Sequence, residues 1–290
     1  MKDIIIIGAG PAGVSAALYA KARGKDILLL EKDKIGGLIA NVSKVSHFAG
    51  VGDGETGPAF ANRLADQVKY SDIPVLFEEA TAIEKTDQGF SVQTNQGSHT
   101  AKKVIAATGN SLKELPLDLP AGFATKHWPL GQEASYTGKT VVINGGSDGA
   151  SKEALYLAQK AKVVHMVQNQ DKLLCIDEFK QQIEAADNIV VHTGCEVRDI
   201  KVENGVCQAV NLGQEEITDE DGIEIYVQIG QNGNTDLLAP FAKVEGNFLV
   251  EDLAAQTEGL FFAGDIRVKA VRQIATAVAD GCLAGIMACK

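Results

Sequence analysis

The sequence predicts an α/β fold of two three-layer domains, on three observations. A strand, a glycine-rich turn, a helix and a second strand occupy residues 2–31. The same unit opens again at Lys139, and a final strand and helix, from Gly259 to Ala288, have the apolar composition that suits the first unit. Strands that alternate with helices are typical of parallel sheets covered on both faces. We therefore expect two Rossmann-like domains, the second inserted into the first: residues 1–114 with 245–290, and residues 115–244.

The pattern of strand, helix and strand is clearest in the first unit. Ile4 to Ile7 is an unbroken β-branched run, which predicts a buried parallel strand from Lys2 to Gly8. The segment from Pro11 to Arg23 has helical periodicity, Gly24 closes that helix, and Asp26 to Glu31 is the next strand. These residues form a βαβ unit.

The second unit repeats this order. A strand from Thr140 to Asn144 is followed by a glycine turn, a helix from Ser147 to Lys160, and a strand from Lys162 to Gln168. Between the two units, residues 74–108 alternate like a short β-meander. The Pro- and Leu-rich residues 115–120 are typical of a linker.

Composition limits the possible partners and locations. Lys and Arg total 27 against 38 Asp and Glu, a formal charge of −11 without a basic stripe, which argues against nucleic acid. The uncharged stretch from Ile4 to Ala20 contains glycines and a proline, which argue against a signal peptide or a membrane span. The five cysteines show no C-x-x-C and no metal-ligand spacing. We expect a cytoplasmic protein without a metal site and without membrane contact.

The turn from Gly8 to Gly13 is a G-x-G-x-x-G motif, placed directly after a strand and opening a helix. Gly8 permits the tight turn, Gly10 lets the backbone approach a pyrophosphate, and Gly13 lets helix and strand pack closely. The helix N-terminus supplies amides and partial positive charge to phosphate groups. Glu31, 18 residues beyond Gly13 at a strand end, is placed to accept hydrogen bonds from ribose hydroxyls. The combination predicts a dinucleotide site.

Later segments add Gly36-Gly37, Ala107-Thr108-Gly109, Phe262-Ala263-Gly264-Asp265 and Arg272-Gln273-Ile274. Together with the first turn and Glu31, they resemble in order, and nearly end to end, the FAD-binding segments of the thioredoxin reductase family, the small pyridine nucleotide-disulfide oxidoreductases. The resemblance implies an FAD-dependent homodimer. It implies that Asp265 binds the ribityl chain and that the final helix aims its N-terminus at the pyrimidine side of the flavin, where it stabilises negative charge. The residues it assigns to FAD are Gly8, Gly10, Pro11, Ala12, Gly13, Glu31, Gly37, Leu38, Asn41, His47, Ala107, Thr108, Gly109, Gly264, Asp265, Arg272, Gln273, Ile274 and Ala277.

One departure from the family pattern concerns the redox cysteines. The positions of the family C-x-x-C, counted back from Gly138-Lys139, hold Trp128-Pro129-Leu130-Gly131. Without a dithiol near the flavin no thiolate is available to reduce a protein disulfide. The chain is in this respect similar to the thioredoxin-reductase-like ferredoxin reductases, which also lack the pair. Trp128 is a candidate to cover a flavin face, with plain packing as the alternative.

The second glycine turn also departs from the pattern. Gly145, Gly146, Ser147 and Asp148 are candidates for a nicotinamide nucleotide, but Ser147 stands where Gly lets a pyrophosphate approach. The family's basic triplet for a 2′-phosphate is replaced by Gln168-Asn169-Gln170, and a later family arginine by Leu174. Gln168 and Asn169 remain able to hydrogen-bond ribose hydroxyls. We therefore expect NADH to be possible and NADPH to be disfavoured.

His47 stands where the family often has Asn near the flavin. Its imidazole is a candidate to tune the flavin potential or to move a proton, and the alternative is a polar side chain bonded to cofactor or backbone.

Three hypotheses for function remain open from the sequence. The first is an electron-transfer enzyme in which FAD accepts electrons from NADH, or from a small carrier such as ferredoxin or flavodoxin, and passes them to an acceptor other than a disulfide. The second is a flavin-binding sensor or regulatory protein with a degenerate nucleotide site. The third is a disulfide reductase that uses another thiol, such as Cys175.

Overall fold

The computed structural model describes all residues from Met1 to Lys290. Strands and helices alternate in both predicted βαβ units. The strands are β1 (Lys2–Ile7), β2 (Ile27–Glu31), β3 (Val75–Phe77), β4 (Ala80–Thr86), β5 (Gly89–Thr94), β6 (Ser98–Ala106), β7 (Asn110–Leu112), β8 (Thr140–Asn144), β9 (Val163–Gln168), β10 (Ile189–Thr193), β11 (Asp199–Glu203), β12 (Val206–Asn211), β13 (Glu216–Thr218), β14 (Ile223–Val227), β15 (Gln231–Gly233), β16 (Val244–Glu245), β17 (Phe248–Leu249) and β18 (Leu260–Phe262). The α-helices are α1 (Pro11–Lys21), α2 (Gly57–Tyr70), α3 (Glu133–Tyr136), α4 (Asp148–Ala158), α5 (Asp177–Glu184) and α6 (Ile274–Ala288), with short 3₁₀ turns at Gly37–Asn41 and Asp236–Leu238. No helix is both long and apolar enough to cross a membrane.

The chain divides into two compact units. The first unit comprises residues 1–40, 45–111 and 232–290, and the second comprises residues 41–44 and 112–231. Both are built on parallel strands, as predicted, and the bulk of the second is inserted into the first.

The first unit contains a seven-stranded sheet. Its order is β3-β2-β1-β6-β5-β4, with β18 pairing β6 as well. The strands β1, β2, β3, β6 and β18 run parallel, whereas β4 and β5 join the sheet antiparallel. Because the parallel strands end at the same edge, the turn after β1 lies beside the segments that follow β2, β6 and β18.

Two helices of the first unit pack together through small residues. Ser15 Oγ on α1 donates a hydrogen bond to the carbonyl of Val278 on α6 at 2.8 Å. A Cβ at Gly281 would lie 2.0 Å from the carbonyl oxygen of Ala12. The predicted start of α6 near Val271 is three residues early, because Gln273 caps the helix and exchanges hydrogen bonds with Thr276.

The second unit contains two sheets. The strands β10-β9-β8-β14 form a four-stranded parallel sheet, and β11, β12 and β13 form an antiparallel one. Helices α4 and α5 cover one face of the parallel sheet, where Leu157 and Phe179 pack on Met166. The other face packs against the antiparallel sheet through Val142, Val167 and Val210. This is the three-layer arrangement expected for a dinucleotide-binding fold.

The unit boundaries differ from those predicted. The structure groups residues 232–244 with the first unit rather than the second, because the fully buried Leu238 and the half-buried Phe241 pack in the core that contains Leu260. It also groups residues 41–44 with the second unit, where the amide of Ser43 donates to Glu153 at 3.2 Å. The hydrophobic pattern of these short segments does not reveal which core they join.

Candidate dinucleotide site

The glycine turn after β1 is built from backbone contacts that no side chain would permit. Gly8 has a φ of +99°, and a Cβ there would lie 2.4 Å from the carbonyl oxygen of Ala107. A Cβ at Gly13 would lie 1.7 Å from the carbonyl oxygen of Gly8. The turn, the first turn of α1 and the segment after β6 are therefore in direct contact, as the motif predicts.

Gly10 is different, because no atom outside its neighbours lies within 4 Å of the position that its Cβ would take. It is the N-cap of α1, no side chain caps the helix, and Pro11 begins it. The first amides of α1 thus face open space, with the positive end of the helix dipole behind them. This arrangement fits a pyrophosphate.

Glu31 completes the adenosine end of the candidate site. It is 8% exposed at the end of β2, next to β1 in the sheet. Its Oε2 accepts a hydrogen bond from the amide of Ala9 at 2.7 Å, and its Oε1 accepts one from the amide of Asp33 at 3.0 Å. A carboxylate has about four acceptor positions, so both oxygens retain capacity for ribose hydroxyls.

Further predicted residues lie beside this turn. The amide of Gly36 donates to the carbonyl of Ala9 at 2.9 Å, and a Cβ at Gly37 would lie 3.4 Å from Cα of Gly10. Leu38 follows in the same 3₁₀ turn, which ends at Asn41, a residue grouped with the second unit. The structure therefore brings Gly37 to the glycine turn.

The segment after β6 is fixed by a neighbouring asparagine. Thr108 Oγ1 donates to the carbonyl of Asn234 at 2.7 Å, and Asn234 Nδ2 donates to the carbonyl of Thr108 at 2.8 Å. The amide of Asn234 also donates to the carbonyl of Gly109 at 2.9 Å. Asn234 was not predicted as a site residue.

Asp265 lies where the turn after β18 meets α1. The amide of Ala263 donates to the carbonyl of Ala106 at 2.9 Å, and a Cβ at Gly264 would lie 2.8 Å from that of Ala12. Burial raises the pKa of the Asp265 carboxyl, and the Lys269 ammonium opposes that rise. Asp265 Oδ1 is buried and accepts no hydrogen bond of ordinary geometry. A half-buried carboxylate with one buried oxygen that accepts no such hydrogen bond fits a polyol chain.

The predicted residues at the start of α6 have defined places. Gln273 is the N-cap, Ile274 is the first helical residue and Ala277 is 7% exposed. The Arg272 guanidinium lies 3.8 Å from the centre of the Phe248 ring, and its Nη2 donates to the carbonyl of Arg267 at 3.1 Å. Arg272 therefore holds the loop before α6.

His47 is an exposed residue of the predicted set. Its φ of +58° lies in the left-handed region, which is costly for a residue other than glycine. Such strain is often found at functional positions, and its role here remains a prediction.

The second glycine turn keeps the backbone of the first. Gly145 contacts the backbone of Gln228, since its Cβ would lie 2.4 Å from that carbonyl oxygen. Ser147 has φ −84° and ψ 178°, close to the φ −70° and ψ −178° of Gly10. The serine is therefore unstrained, and its exposed side chain makes no cap. Asp148 is engaged elsewhere, because its Oδ1 accepts from the amide of Ile176 at 2.9 Å.

Gln168 ends β9 beside this turn. It is 6% exposed, and a Cβ at Gly146 would lie 2.9 Å from its side-chain carbons. Its Oε1 accepts from the amide of Asn169 at 3.1 Å. Asn169 and Leu174 are exposed, and Lys172 is the single cation among residues 168–174, next to Asp171. No guanidinium is available within this stretch for a 2′-phosphate.

Comparisons with known proteins agree with this geometry. The family model described as pyridine nucleotide-disulphide oxidoreductase matches residues 2–281. The chain belongs to this family. Membership makes it an oxidoreductase and implies the use of FAD and a nicotinamide nucleotide.

Relatives match over nearly the whole chain. The thioredoxin reductase of Ureaplasma parvum is 31% identical over 99% of this chain and 95% of its own. The "34.2 kDa protein in rubredoxin operon" of Clostridium pasteurianum is 29% identical over 99% of this chain and 96% of its own. The crystal structure of T. acidophilum thioredoxin reductase superposes with a TM-score of 0.92 at 27% identity, over 99% and 97% of the two chains. The chain spans only 58% of the NADPH-dependent thioredoxin reductase 3 of Arabidopsis thaliana, to which it is 28% identical.

This family member has no sulfur in residues 128–131. The stretch forms a turn in which the amide of Gln132 donates to the carbonyl of Pro129 at 3.0 Å and the amide of Gly131 donates to Glu133 at 3.1 Å. Trp128 is half-buried there. One backbone hydrogen bond and one to the Glu133 carboxylate therefore hold this turn.

The five thiols are all unpaired. Cys175 is 4% exposed and packs in the core with Phe179 and Ile183. Burial raises the pKa of Cys195, and it raises the pKa of Cys207 to about 11. A raised pKa keeps a thiol protonated and poorly nucleophilic. These thiols have the character of packing residues.

Two histidines of the second unit form a chain that the sequence did not reveal. His165 Nδ1 lies 2.9 Å from His192 Nε2, and His192 Nδ1 lies 2.5 Å from Glu215 Oε1. Burial lowers the pKa of His165. No group of three or more His, Cys, Asp or Glu in the chain is arranged to hold a metal ion. Because His165 lies on β9, His192 on β10 and Glu215 in the loop before β13, their spacing in the sequence carries no signal of this contact.

Proposed function

We propose that this protein is an FAD-dependent oxidoreductase that accepts electrons from NADH, or from a small carrier protein, and passes them to an acceptor other than a disulfide. One observation carries the proposal: the first glycine turn has the close backbone packing and the open space at Gly10 that the dinucleotide motif requires, while residues 128–131 hold no thiol. The name of the Clostridium relative supports a small electron carrier as partner.

Each residue of the first unit that we assign to FAD binds a different part of the cofactor in this proposal. The N-terminus of α1 at Gly10 holds the pyrophosphate, Glu31 accepts hydrogen bonds from the ribose, and Asp265 accepts them from the ribityl chain. The N-terminus of α6, capped by Gln273, faces the pyrimidine side of the ring and favours negative charge there. When bound, FAD supplies the ability to exchange electrons in pairs with a nicotinamide or singly with a carrier.

The second unit favours NADH over NADPH in this proposal. Gln168 offers an uncharged amide near the glycine turn, and the stretch after it carries no guanidinium. A 2′-phosphate would therefore lack a bidentate partner, whereas a 2′-hydroxyl needs only an amide oxygen or nitrogen.

Ser147→Gly is expected to strengthen NADH binding by about tenfold, because it removes the side chain from the place where the pyrophosphate approaches the backbone. The fold should be unaffected, since Ser147 makes no capping hydrogen bond. The measurement is the apparent dissociation constant for NADH, obtained from the rate of flavin bleaching against NADH concentration. Ser147→Ala is the matched control, because it removes the hydroxyl and keeps the Cβ. An equal gain in both variants would contradict the steric explanation.

An anaerobic titration of the FAD-loaded protein tests the proposed donor. We expect NADH to bleach the flavin absorbance and NADPH to do so at least about tenfold more slowly at equal concentration. Bleaching by a reduced rubredoxin, ferredoxin or flavodoxin, but by neither nucleotide, would favour the carrier-fed form of the enzyme. Faster bleaching by NADPH would contradict the assignment of the second unit.

A flavin-binding sensor is the second candidate, and Ser147 with the missing basic triplet favours it. It predicts FAD binding with no bleaching by nucleotide or carrier. A homodimer is also proposed, from family resemblance, and the molar mass in solution by light scattering tests it.

A further inference from the structure

The loop between β18 and α6 contributes three charged side chains, and α6 a fourth, to one cluster in the first unit. These are Asp265, Arg267, Lys269 and Asp280, and three of them, Arg267, Lys269 and Asp280, have side chains that are only 14% exposed. Such burial is unusual for charged groups, which are normally kept in water unless they are paired. Only Asp265 of these four was predicted as a site residue.

Asp280, on α6, is the centre of the cluster. Its Oδ2 accepts hydrogen bonds from the backbone amide of Gly264 at 3.1 Å, from Arg267 Nη1 at 3.1 Å and from Lys269 Nζ at 3.2 Å. One carboxylate oxygen thus connects three residues of the loop to α6: Gly264, Arg267 and Lys269. Charge-assisted hydrogen bonds of this kind hold their donors firmly.

Lys269 joins this centre to Asp265. Its Nζ lies 3.3 Å from Asp265 Oδ1 while it donates to Asp280 Oδ2. The other charged groups that act on Asp265 are Arg272, which favours its ionised form, and Asp280, which disfavours it. The Arg272 side chain is turned to backbone, because its Nε donates to the carbonyl of Asp265 at 3.4 Å. The cation in contact with the carboxylate is therefore Lys269.

We propose that Lys269, held in place by Asp280, is a positioning residue of the FAD site. It keeps Asp265 ionised and fixes the orientation of its carboxylate, so that Asp265 accepts a hydrogen bond from the ribityl chain. The inference rests on the proposed assignment of Asp265 to FAD. Lys269 itself needs no contact with FAD. Its ammonium offsets both the burial of Asp265 and the charge of Asp280, which would otherwise favour a neutral carboxyl.

The direction of the expected pH dependence follows from the charges. Burial already raises the pKa of Asp265, and Lys269 is the first among the groups that lower it. Without Lys269 the pKa rises further, so that Asp265 is protonated at a higher pH. A neutral carboxyl is a weaker acceptor than a carboxylate, and FAD binding should weaken as the pH falls and recover as it rises.

The test measures the dissociation constant of FAD for protein stripped of cofactor, from the quenching of FAD fluorescence, at about pH 6 and about pH 8. We expect Lys269→Met to bind FAD about tenfold more weakly than wild type at about pH 6 and nearly normally at about pH 8. Lys269→Arg keeps the charge and should restore the wild-type profile. Lys243→Met, at an exposed lysine paired with Glu245 in the same unit, is the matched control.

The outcomes separate the two proposals. If wild type binds no FAD at either pH, the proposed function fails. If wild type binds FAD but Lys269→Met binds it normally at both pH values, or more weakly by the same factor at both, the positioning role is wrong. If Lys269→Met does not fold, Lys269→Gln takes its place and must show weaker binding confined to the lower pH.

Discussion

Gly13→Ala is expected to destabilise the first unit strongly and to lower its unfolding midpoint. Its Cβ would lie 1.7 Å from the carbonyl oxygen of Gly8 and 2.9 Å from the carbonyl carbon, and both are backbone atoms of the turn that ends β1. No rotamer change relieves such a contact, so α1 would have to move away from the sheet. Overpacking normally costs about 1–3 kcal/mol, and a backbone clash should cost more than about 4 kcal/mol. That is a large part of the usual stability of about 5–15 kcal/mol.

The measurement is denaturant unfolding of the cofactor-free protein, followed by circular dichroism, with the yield of soluble protein as a second readout. Gly10→Ala is the matched control, because it makes the same substitution three residues earlier in the same turn. Its Cβ meets no atom within 4 Å. Equal unfolding midpoints for wild type and Gly13→Ala would show that the close approach of α1 to β1 is wrong.

Gly10→Val is expected to fold normally and to lose FAD binding by at least about 100-fold, which corresponds to about 2.7 kcal/mol. Its backbone, at φ −70° and ψ −178°, suits any residue before a proline. In the second turn Ser147, which carries a Cβ, adopts nearly the same angles. The isopropyl group would fill the space in front of the α1 amides that we assign to the pyrophosphate.

The loss should appear as purified protein without the yellow colour of flavin and with an unchanged unfolding midpoint in the cofactor-free state. Gly10→Ala should show a smaller loss of affinity, because one methyl group fills less of the space. Normal FAD binding by Gly10→Val would contradict the assignment of this turn. If Gly10→Val instead fails to fold, the open space beside Gly10 at the N-terminus of α1 is not present in solution.

The sequence was most informative where a physical requirement acts on neighbouring residues. The first turn was predicted residue by residue because Gly8 and Gly13 must lack side chains for β1 and α1 to meet, and that requirement is visible as a motif. The strands were predicted because unbroken β-branched runs such as Ile4 to Ile7 suit a buried parallel sheet. The family membership and the fold were confirmed by the comparisons.

The sequence was least informative where distant residues meet. Leu238 belongs to the first core and Ser43 to the second unit, but neither short segment carries a period that shows its partner. Asp280 was missed for the same reason, since its role depends on the packing of α6 beside the loop of Asp265. Ser147 was correctly recognised as a departure, but only its backbone angles show that the turn is unstrained.

An anaerobic titration of the oxidised, FAD-loaded protein with dithionite tests the central claim most directly. With no reducible disulfide in the chain, the flavin should bleach completely after about one two-electron equivalent per FAD, and no further reductant should be consumed. The content of free thiols should be the same before and after reduction. Consumption of about two equivalents per FAD, with the appearance of two new thiols, would show an active disulfide and contradict the account.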